Sequence, residues 1–333
     1  MRAIVLPSYN KNLIRALLGL KVEEREVKKP SSDEVVIRIH AAPVNPSDIA
    51  FMQGGYNIVK TLPSVMGFEG AGTVTDAGSE AQHLIGKKVS CFVQDDSDGT
   101  WAEYVVTSKE NLIVLDDRME MDQAACFTVN PFTAYGLLEE LGCEAGESII
   151  LTAAGGQVPH FVRMMAKDKG IGIINIVRKE ETAKKLKEEG EKYVLMETDE
   201  HFRDELEAFS KQLNATSALD AVGGSLTGTV FNALQDDGSL ILYGGLSNKP
   251  VSGLDNLKII FNRNLIFGFS LPEWIGEMKS SGDFPAISQY LQSKFIDGTM
   301  KTEIRNSVAF EDAIKGIRDY ISNMSGGKLL LKP

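Results

Sequence analysis

The first third of the chain has the hydrophobic pattern of short β-strands. Apolar and β-branched runs occur at residues 1–6, 35–39, 70–74, 88–93 and 101–106, with Gly, Pro and Asp between them. Short runs of this composition, bounded by turn-forming residues, are typical of strands. The pattern therefore predicts a β-rich region at the start of the chain.

From about Gly146 the pattern changes to apolar strands that alternate with helices. Strands are predicted at residues 148–151, 172–177, 193–195, 218–222 and 240–243. The intervening residues 161–169 and 179–189 have the periodicity of helices, and the second of these is amphipathic. Such alternation indicates βαβ units and a parallel sheet that is buried on both faces. We therefore expect an α/β fold with a doubly wound domain of the dinucleotide-binding type.

After the apolar run at residues 265–269 the alternation ends. The pattern predicts helices over residues 283–297 and 310–322 and a closing strand at 328–331. A β-rich start, an inserted βαβ block and a short return segment indicate one domain set inside another. The expected bounds are 1–125 with 266–333 for the outer domain and 126–265 for the inserted domain.

Composition and charge narrow the possible partners. The 333 residues carry a net charge of −11, which repels nucleic acid and anionic lipid. No apolar stretch approaches the length that spans a bilayer, and the N-terminus is too short an apolar run for a signal peptide. The three cysteines are isolated, which argues against disulfides and a cysteine zinc site. We expect a cytoplasmic protein without nucleic-acid or membrane partners.

A glycine-containing turn follows the first strand of the inserted domain. Gly155 and Gly156 would let the backbone approach a pyrophosphate, and the next helix would present its positive end to that anion. Gln157, Val158 and Pro159 depart from the usual G-x-G-x-x-G pattern, and the proline removes one possible N–H donor. The turn predicts a phosphate site with altered chemistry.

Two cations follow the second strand of the inserted domain. A site for NAD usually has an acidic residue there, which holds the ribose 2′-hydroxyl. This chain has Arg178 and Lys179 instead, and their side chains suit a 2′-phosphate. The sequence therefore favours NADPH over NADH.

Several spaced motifs occur along essentially the whole chain. They are residues 45–49 (NPSDI), 53–56 (QGGY), 62–63 (LP), 67–72 (GFEGAG), 129–135 (VNPFTAY), 220–224 (DAVGG), 242–245 (LYGG) and 268–271 (GFSL). In residues and in order, these motifs resemble those of the zinc-free branch of the medium-chain dehydrogenase/reductase superfamily, which contains quinone oxidoreductases and trans-2-enoyl thioester reductases.

The resemblance implies a GroES-like catalytic domain around a Rossmann domain, NADPH as cofactor and commonly a homodimer. It also implies a set of residues at the cofactor site, beyond the turn and the two cations. These are Asn130, Thr133, Gly223, Tyr243, Gly244, Gly245, Phe269, Leu271 and Lys328. Tyr56 matches the residue that donates a proton in the enoyl reductases, and Asn45 of the neighbouring motif is the second catalytic candidate.

The same motifs argue against zinc. Relatives that bind zinc have Cys and His where this chain has Asn45 and Phe68, and neither of these residues can ligate Zn²⁺. The four histidines show no ligand spacing. Without a metal, Glu69 is expected to be a structural carboxylate that accepts hydrogen bonds from loop N–H groups.

Three functions remain open. The first is reduction of quinones or other activated alkene or carbonyl acceptors, and the second is reduction of 2-enoyl thioesters. For the second, Tyr56 is a suitable acid if its surroundings lower its pKa from about 10. The third is a non-catalytic cofactor-binding or structural role, which the altered turn at Pro159 would favour.

Overall fold

The computed structural model describes the chain from Met1 to Pro333 and confirms the β-rich start. Three short helices interrupt the strands, and the sequence pattern did not predict them. In chain order the elements are β1 (Arg2–Leu6), α1 (Leu13–Gly19), β2 (Lys21–Glu24), β3 (Glu34–Pro43), α2 (Pro46–Met52), β4 (Ser64–Val65), β5 (Glu69–Ala77), β6 (Lys88–Phe92), β7 (Tyr104–Ser108), β8 (Leu112–Val114) and α3 (Met121–Ala125).

The middle of the chain is the predicted alternation of helices and strands. The elements are α4 (Asn130–Leu141), β9 (Ser148–Leu151), α5 (Gln157–Lys169), β10 (Gly172–Val177), α6 (Glu180–Glu188), β11 (Tyr193–Met196), α7 (Phe202–Gln212), β12 (Ser217–Asp220), α8 (Gly224–Ala233), β13 (Ser239–Leu242), α9 (Asn256–Ile260), β14 (Leu265–Gly268) and α10 (Leu271–Ser281). The return segment adds α11 (Phe284–Ile296), β15 (Ile304–Ala309), α12 (Ala313–Ser322) and β16 (Lys328–Lys332).

The chain divides into two compact units. Unit 1 comprises Met1–Asn130 and Pro285–Pro333, and unit 2 comprises Pro131–Phe284. The division lies later in the chain than the expected boundaries at residues 126 and 266. Residues after 265 stay with unit 2 because β14 pairs in parallel with β13, from Ser239↔Leu265 to Leu242↔Gly268.

Unit 1 contains a seven-stranded sheet in the order β15-β16-β3-β5-β6-β8, with β7 also paired to β3. The return segment joins it because β16 pairs antiparallel with β3, Leu331 opposite Ala42. The core beside this sheet contains Ile37, Phe68 and Trp101. A second sheet has three strands, in the order β2-β1-β4.

Unit 2 contains a six-stranded parallel sheet in the order β11-β10-β9-β12-β13-β14, the strand order of a Rossmann domain. Ile150 and Ile174 are fully buried in it, as expected for a sheet with helices on both faces. The predicted fold class is thus confirmed. None of the helices combines the length and the apolar character that a membrane span requires.

Candidate active site

Tyr56 lies in the loop after α2, and a row of aromatic side chains holds its ring. The ring stacks on Phe68, with centroids 5.5 Å apart and 30° between the planes. Phe68 packs edge-to-face on Phe51 at 5.2 Å, and Phe51 packs on Tyr9 at 5.3 Å. Phe51 and Phe68 are fully buried, so the half-buried Tyr56 is fixed against a rigid part of unit 1.

The hydroxyl oxygen of Tyr56 accepts a hydrogen bond from Nε2 of Gln94 at 3.1 Å. Burial raises the pKa of Tyr56, Asp48 raises it further, and the bond from Gln94 lowers it in part. The structure therefore does not provide the lowered pKa that would make Tyr56 a stronger acid, because burial has the largest effect. A tyrosine is protonated at neutral pH even at its ordinary pKa of about 10, so the raised pKa makes Tyr56 a weaker acid but leaves it a proton to donate.

Asn45 and Asp48 are buried at the start of α2. Asp48 accepts hydrogen bonds from the backbone N–H groups of Asn45 at 2.8 Å and Phe68 at 3.1 Å. Burial raises the pKa of Asp48 to about 7, although these two bonds and Lys328 lower it. Asp48 thus joins α2 to the residue on which Tyr56 stacks.

Both polar atoms of the Asn45 side chain are used within unit 1. Its Nδ2 donates to Glu69 at 2.9 Å, and its Oδ1 accepts a short hydrogen bond from Nζ of Lys328. Glu69 also accepts from the backbone N–H of Val129 at 2.7 Å, as expected for a structural carboxylate. The structure thus places Asn45 in a buried network that orders Glu69 and Lys328.

Lys328 is the cation of this network and is only 2% exposed. Burial lowers its pKa, while Cys126, Glu69 and Asp48 raise it. Burial raises the pKa of Glu69, and Lys328 lowers it. Lys328, predicted as a cofactor ligand, lies on β16 of unit 1, where its ammonium is bonded to Asn45.

Most of the other predicted cofactor residues meet at one edge of the unit 2 sheet. They follow the carboxyl ends of parallel strands, which point to the same side of a sheet. Gly155, Gly156, Gln157 and Val158 follow β9; Arg178 and Lys179 follow β10; Gly223 follows β12; Tyr243, Gly244 and Gly245 follow β13; Phe269 and Leu271 follow β14.

The glycine turn after β9 leads directly into α5, which begins at Gln157 and has no side-chain cap. Gly156 donates its N–H to the carbonyl of Ala153 at 2.9 Å, so this N–H is already used within the turn. Pro159 lies in the first turn of the helix and is buried. The helix begins earlier than the predicted residue 161 because a proline is tolerated at this end.

A buried arginine is hydrogen-bonded to the backbone of this turn. Arg163 of α5 donates from Nη1 to the carbonyl of Ala154 at 2.6 Å and to Oδ1 of Asn175 at 3.3 Å. Asn175 of β10 donates to Glu191 at 2.8 Å. The atypical turn is therefore held by a polar network that joins α5 to β10.

Asp220 at the end of β12 organises a second turn at the same edge. Its carboxylate accepts hydrogen bonds from Thr152 at 2.6 Å, Thr227 at 2.5 Å and the backbone N–H of Gly223 at 3.3 Å. At Gly244 a side chain is excluded, because a Cβ atom would lie 2.7 Å from the carbonyl oxygen of Ala221.

Arg178 is exposed at the end of β10, and Lys179 is the N-cap of α6. The neighbouring strand end carries Glu197, whose backbone N–H donates to Val177 at 2.9 Å. Burial raises the pKa of Glu197, and Arg178 lowers it. The cation at this corner is thus close to one carboxylate and open to solvent.

The remaining candidates, Asn130 and Thr133, lie on α4 and are buried. Nδ2 of Asn130 is buried without a hydrogen-bond partner in the chain. An orphaned donor of this kind is rare in folded proteins, and a bound group that accepts a hydrogen bond would satisfy it. Within unit 2, the start of α5 has no side-chain cap, and it fits the phosphate groups of a nicotinamide dinucleotide.

Sequence reasoning missed Asp48, Gln94 and Arg163. Asn45 is the N-cap of α2 and Asp48 lies three residues later, in its first turn, a spacing that is a capping signal and could have identified Asp48. No local pattern marks Gln94 or Arg163. Throughout the chain, no group of three or more His, Cys, Asp or Glu side chains is arranged to hold a metal ion.

Comparisons with known proteins agree with this architecture. Residues 31–117 match the family model of the alcohol dehydrogenase GroES-like domain, and residues 158–292 match that of the zinc-binding dehydrogenases. A mitochondrial enoyl-[acyl-carrier-protein] reductase of Caenorhabditis elegans is 32% identical over 92% of this chain and 89% of its own length.

Solved structures give the same result. A Mesorhizobium loti protein whose assigned activity is NADPH:quinone reduction superposes with a TM-score of 0.93, at 30% identity and over 100% of this chain and 98% of its own. A mycobacterial protein in complex with NADPH superposes with a TM-score of 0.85 over 100% of both chains. At 21% identity, the second comparison supports the fold alone.

Proposed function

This chain belongs to the medium-chain dehydrogenase/reductase superfamily, and we propose that it reduces a carbon–carbon double bond conjugated to a carbonyl group, with NADPH as the hydride donor. The observation that carries the proposal is the Tyr56 hydroxyl. It is protonated, its ring is fixed on Phe68, and it donates to no residue of the chain. Such a group is suited to protonate a bound substrate.

The chemistry needs one acid from the protein. When bound, NADPH supplies a hydride, which adds to the β-carbon of the double bond and leaves negative charge on the carbonyl oxygen. The O–H bond of Tyr56 then breaks, and its proton forms the new C–H bond at the α-carbon. Water later returns a proton to the phenolate, which restores the enzyme.

The test compares two acceptors with the variant Tyr56→Phe, by following NADPH oxidation with crotonyl-CoA and with benzoquinone. Reduction of the thioester should fall by about 10²–10⁴-fold, the usual contribution of a positioned acid. Quinone reduction should persist, because its oxygen atoms take protons readily from water.

Tyr104→Phe is the matched control, since Tyr104 is also a half-buried tyrosine of unit 1. It should reduce both acceptors at the wild-type rate. An unchanged thioester rate in Tyr56→Phe would contradict the assigned role. The absence of NADPH oxidation with either acceptor in the wild type would favour a non-catalytic protein.

Quinone reduction is the second candidate activity. It is supported by the Mesorhizobium loti protein, which this chain matches over its full length. Enoyl thioesters are supported by the C. elegans relative and by the Tyr56 hydroxyl, whose oxygen accepts a hydrogen bond from Gln94 while its own hydrogen stays free for a substrate. The ratio of the two rates in the wild-type protein decides between these acceptors.

The preference for NADPH over NADH rests on the corner after β10. Arg178 is exposed there, and an arginine can bind a 2′-phosphate through two charge-assisted hydrogen bonds. A fluorescence titration with both nucleotides tests it directly. Tighter binding of NADPH is expected, and equal affinity would contradict the assignment.

We also propose a homodimer formed through β14, the edge strand of the unit 2 sheet. Leu265 and Phe267 are 59% and 38% exposed on one face of it, and nearby Phe261 is 76% exposed. An exposed apolar edge strand promotes aggregation unless another strand pairs with it. In a dimer with a twofold axis, β14 could pair with the β14 of a second copy. Light scattering should show a dimer for the wild type and a monomer for Phe267→Lys.

A further inference from the structure

Tyr56 and Gln94 are both attached to Phe68, although they belong to different loops. The ring of Tyr56 stacks on the Phe68 ring. Val93, the residue before Gln94, donates its backbone N–H to the carbonyl of Phe68 at 2.7 Å. The fully buried Phe68 is therefore a common reference point, which fixes the two partners of the 3.1 Å hydrogen bond relative to each other.

The loop that carries Gln94 is also anchored on its far side. Nζ of the buried Lys60 donates to the carbonyl of Ser97 at 2.5 Å and lies 5.7 Å from the centre of the Phe68 ring. Asn111 donates to the carboxylate of Asp95 at 2.8 Å. Gln94 is half-buried between these anchors, so its side chain has little freedom to leave Tyr56.

In the hydrogen bond between Gln94 and Tyr56, the identity of the donor decides whether the Tyr56 proton is available. An amide nitrogen can only donate, so the Tyr56 oxygen is the acceptor and its own hydrogen is turned away from Gln94. A carboxylate at position 94 would instead accept the hydroxyl hydrogen. The amide thus leaves the proton of Tyr56 available and places an N–H where negative charge develops when that proton leaves.

We propose that Gln94 is a positioning residue for proton donation, which directs the Tyr56 hydrogen toward the substrate and stabilises the phenolate that forms. The inference rests on the proposed function, because it requires Tyr56 to be the proton donor. In this role Gln94 acts on the reaction through its hydrogen bond to Tyr56.

The first test is Gln94→Leu, which removes the donor and keeps a side chain of similar size. Reduction of crotonyl-CoA should have a kcat about tenfold lower, the usual effect of losing one hydrogen bond to a developing charge. KM for crotonyl-CoA and for NADPH should stay within about twofold, since the change acts on the proton-transfer step. Gln94→Glu should be more damaging, by about 100-fold, because the carboxylate holds the proton.

The pH profile separates this role from a merely structural one. Without the Gln94 N–H the phenolate is less stable, so the pKa of Tyr56 rises further and the basic limb of kcat moves to higher pH. The other charged groups around the pair are Asp48, Lys60, Asp95, Asp96 and Asp98. Asp48, with a pKa of about 7, titrates below this limb. If kcat of Gln94→Leu fell while the basic limb of its pH profile stayed at the wild-type pH, the proposal would be overturned.

A double-mutant cycle distinguishes its failure from that of the proposed function. Gln94→Leu should cause no further loss in the Tyr56→Phe background, because its only route to the substrate is the missing hydroxyl. The same loss in both backgrounds would overturn the role of Gln94 while leaving Tyr56 as the donor. A wild-type rate in Tyr56→Phe alone would defeat both proposals.

Gln82→Leu is the matched control. Gln82 is an exposed glutamine of unit 1 whose amide donates to the carbonyl of Ala77, so the substitution removes a bond of the same type. It should leave kcat and its pH profile unchanged. Equal thermal unfolding midpoints for the wild type and both Gln94 variants would show that the kinetic effects come from folded protein.

Discussion

The candidate sites of the two units differ in how exposed their cations are. In unit 1, Lys328, Glu69 and Asp48 are all buried and face one another through Asn45. In unit 2, the cation of the candidate cofactor site, Arg178, stands exposed at a strand end. A buried charge depends on its partners for stability, whereas an exposed charge is available to a ligand. Substitutions should therefore separate folding effects in unit 1 from binding effects in unit 2.

The largest expected effect is the loss of the buried cation. Lys328→Met should lower the free energy of unfolding by about 3–5 kcal/mol, because it leaves Glu69 and Asp48 without the charge that faces them. Urea denaturation measures it. Lys332→Met, on the same strand, removes a partly exposed pair with Asp122 and should cost at most about 1 kcal/mol. If both variants lost the same unfolding free energy, burial of the cation would not explain the stability that Lys328 provides.

The exposed cation should affect binding without affecting folding. Arg178→Ala should weaken NADPH by about 10–100-fold, or about 1.4–2.8 kcal/mol, because charge-assisted bonds to the 2′-phosphate are lost. NADH binding and the unfolding midpoint should not change. Arg203→Ala, an exposed arginine on α7, is the control in the same fluorescence titration. If NADPH and NADH binding weakened equally, Arg178 would not be a ligand of the 2′-phosphate.

The stability of unit 1 should also depend on pH. The pKa of Asp48 is raised to about 7 in the folded state, above its unfolded value of about 3.9. The folded protein therefore retains a proton that the unfolded chain has lost. This contribution is complete below about pH 4 and is lost as the pH rises through about 7.

Between about pH 5 and about pH 7 the change should be about 1–2 kcal/mol, measured by urea denaturation at each pH. Glu69, with its raised pKa, acts in the same direction. Asp48→Asn should flatten the slope, and Asp204→Asn on the surface of α7 should not. If the unfolding free energy of Asp48→Asn changed with pH as steeply as that of the wild type, another group would be the one that retains the proton.

The smallest expected effect concerns the altered turn of unit 2. Pro159→Ala restores an N–H in the first turn of α5, where such groups favour an anion by about 0.3–1 kcal/mol. NADPH should then bind about 2–5-fold more tightly. Isothermal titration would detect it, and weaker binding would mean that the proline shapes the phosphate site.

Local pattern predicted unit 2 better than unit 1. Strand β9 was predicted at its observed bounds, Ser148–Leu151, and β10 likewise at Gly172–Val177, because a strand that is buried on both faces is a continuous apolar run. Helix α5 was predicted from residue 161, four residues after its observed start at Gln157. In unit 1, α1 and α2 were missed because helices of seven residues carry too few turns for a clear periodicity.

The sequence by itself determined the alternation of strands and helices, the cations after β10 and the tyrosine of the motif at residues 53–56. These are properties of neighbouring residues, so a linear pattern contains them. The tertiary structure alone decided that Gln94 meets Tyr56, 38 positions away, and that Lys328 meets Asn45 across 283 positions. It also decided that burial raises the pKa of Tyr56. Such contacts and their desolvation depend on how distant segments pack, and no local pattern encodes that packing.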